Sequence, residues 1–583
     1  MNFENGWLVA PRSVQYVEQQ EDNMKQITAG YFSFWHRFLT KFSTEYVFGR
    51  VEKTVHLIDG LVFNREERHD LPEEERRSLE TYLVLEAERS KKNPLYFSDY
   101  DGTFNGLYYD TEADKGVFFT NPLGERTVYY IENGPGGLWV SSNYNWLLRA
   151  LHECGYQSEM DVQAFRSMVV FGGMHDDRTW DCKIKRLMPG CYLSYEQGRC
   201  TVHSYYTFDT SNPVYGVSEA EWIERLDSAF RRAYQAELAV DEALDLTSLI
   251  DISGGLDSRM TTLVAAELGV ENAVLISYAA MGSDEQKVAQ LVAEKTHFPF
   301  LFSGIDDANY AKDIESLLRG NFGAAYYIGI TGGQRFLSWL NDEKFGIQHT
   351  GLLGDMGGGG YFPEDEGANE YRVNPIIRSG EDHEAAKQCY PNAETFYFYT
   401  RGPLWGLSSM TARRNYTESF SPFMSREFLE LSHSIPPELR KNGFIFLEWM
   451  KKKVPLAASI PQAKGMVAPG KPEWVKQFHQ RVIYRLPGVA HRIRRTLCLN
   501  RPVKDTRSMN PVGLWVENRT DLTRFMEEHM QRGLQTIEGC AALEDIYTYF
   551  TNKNVPFFEK TAFLTAAEAV RRYINPSNSI ERR

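Results

Sequence analysis

The spacing of apolar positions changes part-way along the chain. Through residues 1–210 they come in short alternating or continuous runs: Lys53-Thr54-Val55-His56-Leu57-Ile58, Gly106-Leu107-Tyr108-Tyr109, Gly116-Val117-Phe118-Phe119, Val128-Tyr129-Tyr130-Ile131 and Leu138-Trp139-Val140. Such runs predict strands. Turn formers separate them, and Glu132-Asn133-Gly134-Pro135-Gly136-Gly137 predicts a hairpin. The expectation is an antiparallel sheet layer with some helices. Thr207-Phe208-Asp209-Thr210-Ser211-Asn212-Pro213 then reads as a linker.

Beyond it the period lengthens. Residues 219–240 carry helical spacing, and Leu246-Thr247-Ser248-Leu249-Ile250-Asp251-Ile252 suits a buried strand. A glycine-rich loop follows. Met260, Leu263, Val264 and Leu268 then share one helical face, with Gly269 as the stop. Ala273-Val274-Leu275-Ile276-Ser277-Tyr278 is a second strand, residues 284–296 a second helix, and Phe300-Leu301-Phe302 a third strand. Strand and helix in alternation predict a doubly wound parallel α/β sheet. The chain reads as mostly helical from residue 380 onward. Two domains are expected, 1–210 and 211–583.

The loop between the first strand and helix is Ser253-Gly254-Gly255-Leu256-Asp257-Ser258. Backbone N–H groups at a helix start attract anions. Gly254 and Gly255 let the backbone approach a phosphate and adopt positive φ, and Ser253 and Ser258 add hydroxyls. Asp257 would repel a phosphate unless a cation bridged them, which makes it a candidate Mg²⁺ ligand. The loop is not a Walker A sequence, because GxxxxGK[ST] is missing.

Ser253–Ser258 resembles the pyrophosphate loop of N-type ATP pyrophosphatases, and its surroundings resemble asparagine synthetases, β-lactam synthetases and lasso-peptide cyclases. Those enzymes adenylate a carboxylate, release pyrophosphate and let an amine attack the acyl-adenylate. His349-Thr350-Gly351-Leu352-Leu353-Gly354-Asp355-Met356-Gly357-Gly358-Gly359-Gly360-Tyr361 resembles the family's second glycine-rich loop, which places Asp355 as another magnesium ligand. Glu418-Ser419-Phe420-Ser421-Pro422-Phe423 resembles a stretch ending Pro-Phe-Leu-Asp, with Ser425 in place of the Asp. Ile435-Pro436-Pro437-Glu438-Leu439 and Val454-Pro455 continue the register, and Lys464 falls on the catalytic lysine. The resemblance further implies that Ile252, Ala280, Thr350 and Gly351 line the nucleotide, largely through backbone. ATP and Mg²⁺ are the implied cofactors.

Residues 1–210 resemble a degenerate class II glutamine amidotransferase domain of the Ntn type. The resemblance lies in Asp59-Gly60-Leu61-Val62-Phe63-Asn64, Asp101-Gly102-Thr103-Phe104, Asn121-Pro122-Leu123-Gly124-Glu125-Arg126 and Leu187-Met188-Pro189-Gly190. An active glutaminase of this class attacks with the thiol of a cysteine that is its first residue, using the free amine as base. Here Met1-Asn2 opens the sequence and the first cysteine is Cys154. No glutaminase activity is therefore expected, and Asn64 is read as a turn or sheet-edge residue. The implied fold is an N-terminal degenerate amidotransferase β-sheet domain followed by a doubly wound α/β pyrophosphatase domain with a helical extension. A second departure falls two residues after Thr350. The family has Glu, Tyr or His there; this chain has Leu352, which cannot move a proton. Met356 replaces an acidic residue.

Composition narrows the partners. The 583 residues carry 64 basic and 78 acidic side chains, a net charge of −14. That balance argues against nucleic acid as the main partner, because phosphate backbones are held by Lys and Arg. The basic runs Lys451-Lys452-Lys453 and Arg492-Ile493-Arg494-Arg495 are read as solvated helix faces. No long apolar run predicts a membrane span, and no secretory signal is seen, so a cytoplasmic location is expected. The seven cysteines form no CxxC pair and are expected as free thiols. The leading expectation is an ATP-dependent ligase joining a small-molecule or peptide carboxylate to ammonia or an amine. An ammonia-dependent asparagine synthetase and a nucleotide-binding scaffold stay open as alternatives; a tRNA-modifying enzyme is disfavoured by charge. The oligomeric state is open, with a homodimer among the options.

Overall fold

The structure is a computed structural model that describes residues 5–16, 23–65, 72, 78–329, 331–340, 342–357, 389–479, 508–552 and 555–575. Among the described residues its N-terminal part contains twelve strands in two antiparallel sheets. One sheet has the order β10-β8-β9-β1-β3-β2, the other β12-β11-β7-β6-β5-β4. The strands are β1 Gly6–Pro11, β2 Met24–Ala29, β3 Phe32–Arg37, β4 Val47–Val51, β5 Thr54–Val62, β6 Gly102–Asp110, β7 Lys115–Thr120, β8 Tyr129–Gly134, β9 Gly137–Ser141, β10 Lys185–Arg186, β11 Cys191–Glu196 and β12 Arg199–Ser204.

Alternation along single strands explains the layering. Trp7 and Val9 of β1 pack with Val55 and Leu57 of β5 and Phe118 of β7, between the sheets. Leu8 and Ala10 point the other way, onto Trp146 and Phe165 of helices α2 (Tyr144–Glu153) and α3 (Val162–Phe171). Helix α1 (Leu79–Lys92) covers the second sheet, where Tyr82 and Leu85 meet Ile58 and Phe104. The result is helix, sheet, sheet, helix. The expected hairpin is present as β8–β9, with Gly136 at φ 77° in its turn and Gly137 at φ 128° opening β9. Asn64 is a turn residue, as read: its side chain donates to Asp99 O at 2.8 Å and accepts from Asp101 N at 2.8 Å.

The C-terminal part is built on a five-stranded sheet of order β15-β14-β13-β16-β17, all parallel. These strands are β13 Thr247–Asp251, β14 Ala273–Ala279, β15 Phe300–Gly304, β16 Phe345–His349 and β17 Ser419–Phe420. Three helices join or flank them: α4 Glu219–Ala243, α5 Asp257–Glu267 and α6 Asp284–Thr296. The order runs outward one way from β13 and outward the other way from β16. The chain therefore reverses direction between those two strands, and ligands of parallel α/β sheets bind at such a reversal, beyond the strand C-termini. β16 and β17 were not visible as strands in the sequence. Helix α5 differs from its amphipathic reading: Ser258 through Ala265 are all buried, so every face of it is covered.

Buried charge joins the two parts. Arg126 pairs with Glu418, the residue before β17, and with Asp59 at 3.2 Å. Tyr46 donates to Glu418 at 2.5 Å, and His36 lies 3.4 Å from the other oxygen of Asp59. Burial alone would lower the Arg126 pKa, but Glu418 and Asp59 hold it raised. Within the C-terminal part, His349 at the end of β16 lies between Glu237 (3.0 Å) and Asp241 (2.9 Å) of α4. Ser425 caps the helix Arg426–Ser434, accepting from Phe428 N. That is a role Asp also fills, which accounts for Ser at this position. The Lys451–Lys453 run closes the helix Phe444–Lys453 and pairs with Glu448, Glu219 and Glu224. The Arg492–Arg495 run lies outside the described residues. No described helix is long and apolar enough to cross a membrane. Cys154, Cys182, Cys191, Cys200, Cys389 and Cys540 form no disulfide, and Cys498 lies outside the described residues.

Two outcomes are expected. Removing one partner of a buried pair strands the other, so Arg126→Met should destabilise the protein by roughly 3–5 kcal/mol in denaturant unfolding. Burial opposes charge on His349, but Asp241 and Glu237 outweigh it and raise its pKa from 6.5 to about 9. Burial also raises Glu237 from 4.5 to about 7. Across these windows the folded chain binds more protons than the unfolded one, so stability falls as pH rises. The melting temperature should drop between pH 6.5 and pH 9, the window of the His349 shift, and His349→Gln should flatten that stretch of the profile.

Candidate active site

Two loops meet at the reversal of strand order. The first, Ser253–Ser258, leaves β13 and opens α5; the second, Thr350–Asp355, leaves β16. Serine side chains shape the first. Ser253 N–H donates to Ser258 Oγ at 3.0 Å, Gly255 N–H donates to Ser253 Oγ at 3.1 Å, and the two hydroxyls are 2.7 Å apart. Neither Gly254 nor Gly255 adopts positive φ, contrary to expectation. What Gly254 supplies is room: a Cβ there would fall 2.3 Å from Ala463 Cβ and 2.7 Å from a Glu285 carboxylate oxygen.

The second loop fits against the first. A Cβ on Gly351 would lie 2.4 Å from Ser258 N, and one on Gly354 would lie 2.7 Å from Asp257 Cγ. Both glycines thus admit backbone contact with the start of α5. The helical turn Gly354–Gly357 carries Asp355 in its first positions. The Asp257 carboxyl is pushed well above the usual carboxylate range, first by burial and then by the negative charge of Asp355. Two carboxylates that repel each other across this junction suit a shared divalent cation, which would relieve both effects. Among the described residues there is no cluster of three or more His, Cys, Asp or Glu side chains suited to a metal. A cation between Asp257 and Asp355 would therefore draw its remaining ligands from phosphate oxygens and water.

Lys464 lies in a tight turn beside the first loop. Ala463 N–H donates to Gly254 O at 3.0 Å, and Gln462 N–H donates to Val467 O at 3.0 Å across the turn. Gly465 (φ 91°) and Met466 (φ 51°) reverse the chain, leaving Lys464 exposed. The residues expected to read a nucleotide through backbone are engaged in the fold. Ile252 N–H donates to Ile276 O at 2.9 Å, Ala280 N–H to Met509 O at 2.7 Å and Thr350 N–H to Phe420 O at 2.8 Å. A nucleotide here must displace these bonds or use other atoms of the same residues. Leu352 is half-buried against the core, and its N–H donates to the Thr350 hydroxyl at 3.3 Å. No titratable group stands at that position.

Two residues passed over in the sequence belong to this site. Glu285, in the first turn of α6, accepts from Gly254 N–H; burial raises its pKa, opposed by that bond and by Arg259. Its sequence signal is that of an ordinary acidic helix start. Arg259 directly follows the loop and is fully buried. Its adjacency to Ser258 was the signal available.

Residues 50–206 match the glutamine amidotransferase domain family. The N-terminal two-sheet part is therefore amidotransferase-like. No curated protein matches the chain. Among solved structures, one is that of the allosteric regulatory enzyme of purine biosynthesis; it is 14% identical over 47% of this chain and 51% of its own, with a TM-score of 0.21. Another is glutamine phosphoribosylpyrophosphate amidotransferase from B. subtilis, complexed with ADP and GMP; it is 13% identical over the same shares, with a TM-score of 0.19. The chain thus spans about half the length of these structures. Neither superposition is close.

Gly351→Ala forces backbone apart at the start of α5. Were ATP, the expected ligand, held at this loop, the substitution should weaken its binding by about tenfold or more in equilibrium dialysis, the size of a ~1.4 kcal/mol strain. Circular dichroism should show the fold retained.

Proposed function

We propose that this chain is an ATP-dependent ligase that adenylates a carboxylate and passes the acyl group to ammonia or an amine. The observation that carries the reading is the junction of the Asp257 and Asp355 loops at the sheet's reversal point, where glycines 351 and 354 let one loop nest against the other. On this reading residues 1–210 form the amidotransferase-like domain and residues 211–583 the adenylating domain.

The chemistry follows from the charges. A substrate carboxylate oxygen attacks the α-phosphorus of ATP, and the bond to the β-phosphate bridging oxygen breaks. Pyrophosphate departs with the electron pair. The amine then attacks the acyl carbon, AMP leaves, and one proton is lost. Backbone N–H groups at the start of α5, with the Ser253 and Ser258 hydroxyls, would hold the departing pyrophosphate. Asp257 and Asp355 would hold Mg²⁺, whose charge neutralises the phosphates. Lys464 would stabilise negative charge at the α-phosphate in both half-reactions. Leu352 offers no base. The amine must therefore arrive uncharged or give its proton to another group.

ATP–pyrophosphate exchange with a panel of carboxylic acids tests the reading. Exchange with an acid other than aspartate supports the ligase. Exchange with aspartate alone would identify an ammonia-dependent asparagine synthetase instead. ATP binding with no exchange for any acid would leave a nucleotide-binding scaffold. Asp257→Asn should cut exchange by about a hundredfold or more, comparable with loss of a major charge-stabilising group. An unchanged rate would sink the metal assignment.

A further inference from the structure

We propose that Arg259 is a positioning residue that fastens the Lys464 turn to the phosphate loop, so that the lysine is delivered at a fixed distance from the reacting phosphate. This inference rests on the ligase reading above.

Arg259 lies in the first turn of α5, two residues after Asp257, and its side chain is 0% exposed. Its Nη1 donates to Ala457 O at 2.9 Å and Ile460 O at 2.6 Å, and its Nη2 donates to Pro461 O at 2.6 Å. All three acceptors belong to one short stretch, which ends the helix Pro455–Ser459 and leads into the Lys464 turn. Carbonyls at a helix C-terminus lack partners within the helix and carry partial negative charge, so a buried cation is stabilised there. A second tie comes from the loop itself, through Ala463 N–H to Gly254 O at 3.0 Å. The segment leading into the turn is thus held at two places, by residues 254 and 259, which flank Asp257.

The residue type matters. A side chain serving only to fill space here would be apolar, because burying a guanidinium is costly. Burial does lower the Arg259 pKa to about 10, against the opposing pull of Glu285. Its Nε has no hydrogen-bond partner, so the Nη atoms and the three carbonyls fix its orientation. Planar, rigidly spaced donors suit several carbonyls in one strip of backbone. A lysine ammonium, a single point on a flexible stem, cannot span them.

The test uses the full chain and the Arg259→Lys variant, with Arg259→Gln as a second should the first unfold early. In ATP–pyrophosphate exchange, Arg259→Lys should lower kcat by about a hundredfold, the cost of an ångström-scale misplacement, with the KM for ATP within about threefold of the parent. Adding Lys464→Ala should bring no further loss, because Arg259 acts through Lys464. Hydrogen exchange should quicken at residues 457–463 in Arg259→Lys, and not in β13 or β14. Three results would overturn the inference: parental exchange rates in both variants, losses that multiply with Lys464→Ala, or a raised KM at unchanged kcat. A parental protein that exchanges with no acid removes the ligase reading beneath it. Parental activity with unaltered variants removes the Arg259 role alone.

Discussion

Contact between two backbone segments at the reversal of the parallel sheet governs the candidate site. Gly351 lies against Ser258 N, and Gly354 against the Asp257 side chain. Any larger residue at either place would separate the loops and, with them, the two carboxylates. Pairing of the two strands that carry the loops supports that contact. β13 and β16 are adjacent, with Ile250 opposite His349. His349 is in turn held by Glu237 and Asp241, which fixes the level at which Thr350 leaves the sheet.

The N-terminal part bears on this arrangement through β17. Glu418 precedes that strand, whose Ser419 and Phe420 pair with Gln348 and His349. Arg126 and Tyr46 grip Glu418 from the amidotransferase-like side. Buried ion pairs add little net stability, yet removing one partner is costly. The two-sheet part is thereby tied to the edge of the sheet that carries the second loop. That tie does not depend on a nucleophilic thiol.

Much of this was readable from spacing alone. The first three parallel strands and their two connecting helices fall where periodicity puts them, and so does the β8–β9 hairpin. What was missed has physical reasons. β16 is only Phe345–His349, and its polar Gln348 and His349 are buried, so it lacks the apolar signature of a core strand. β17 is two residues long and is defined by its neighbour. Arg259 and Glu285 belong to residue types whose usual place is the surface; only the folded backbone shows Glu285 at Gly254 and Arg259 on the carbonyls that lead to Lys464. Gly254 and Gly255 do not take the positive φ expected of them; Gly254 instead leaves room for Ala463 and Glu285.

The bond from Ala280 N–H to Met509 O joins the end of β14 to a segment more than two hundred residues later in the chain. A backbone N–H makes one good hydrogen bond at a time. A ligand that claimed this donor would release Met509, and whatever held Met509 in place would weaken that ligand by the same free energy. The distant segment and any ligand that used this donor would thus compete for a single hydrogen atom. Their occupancies would be thermodynamically linked, however far apart they stand in the sequence.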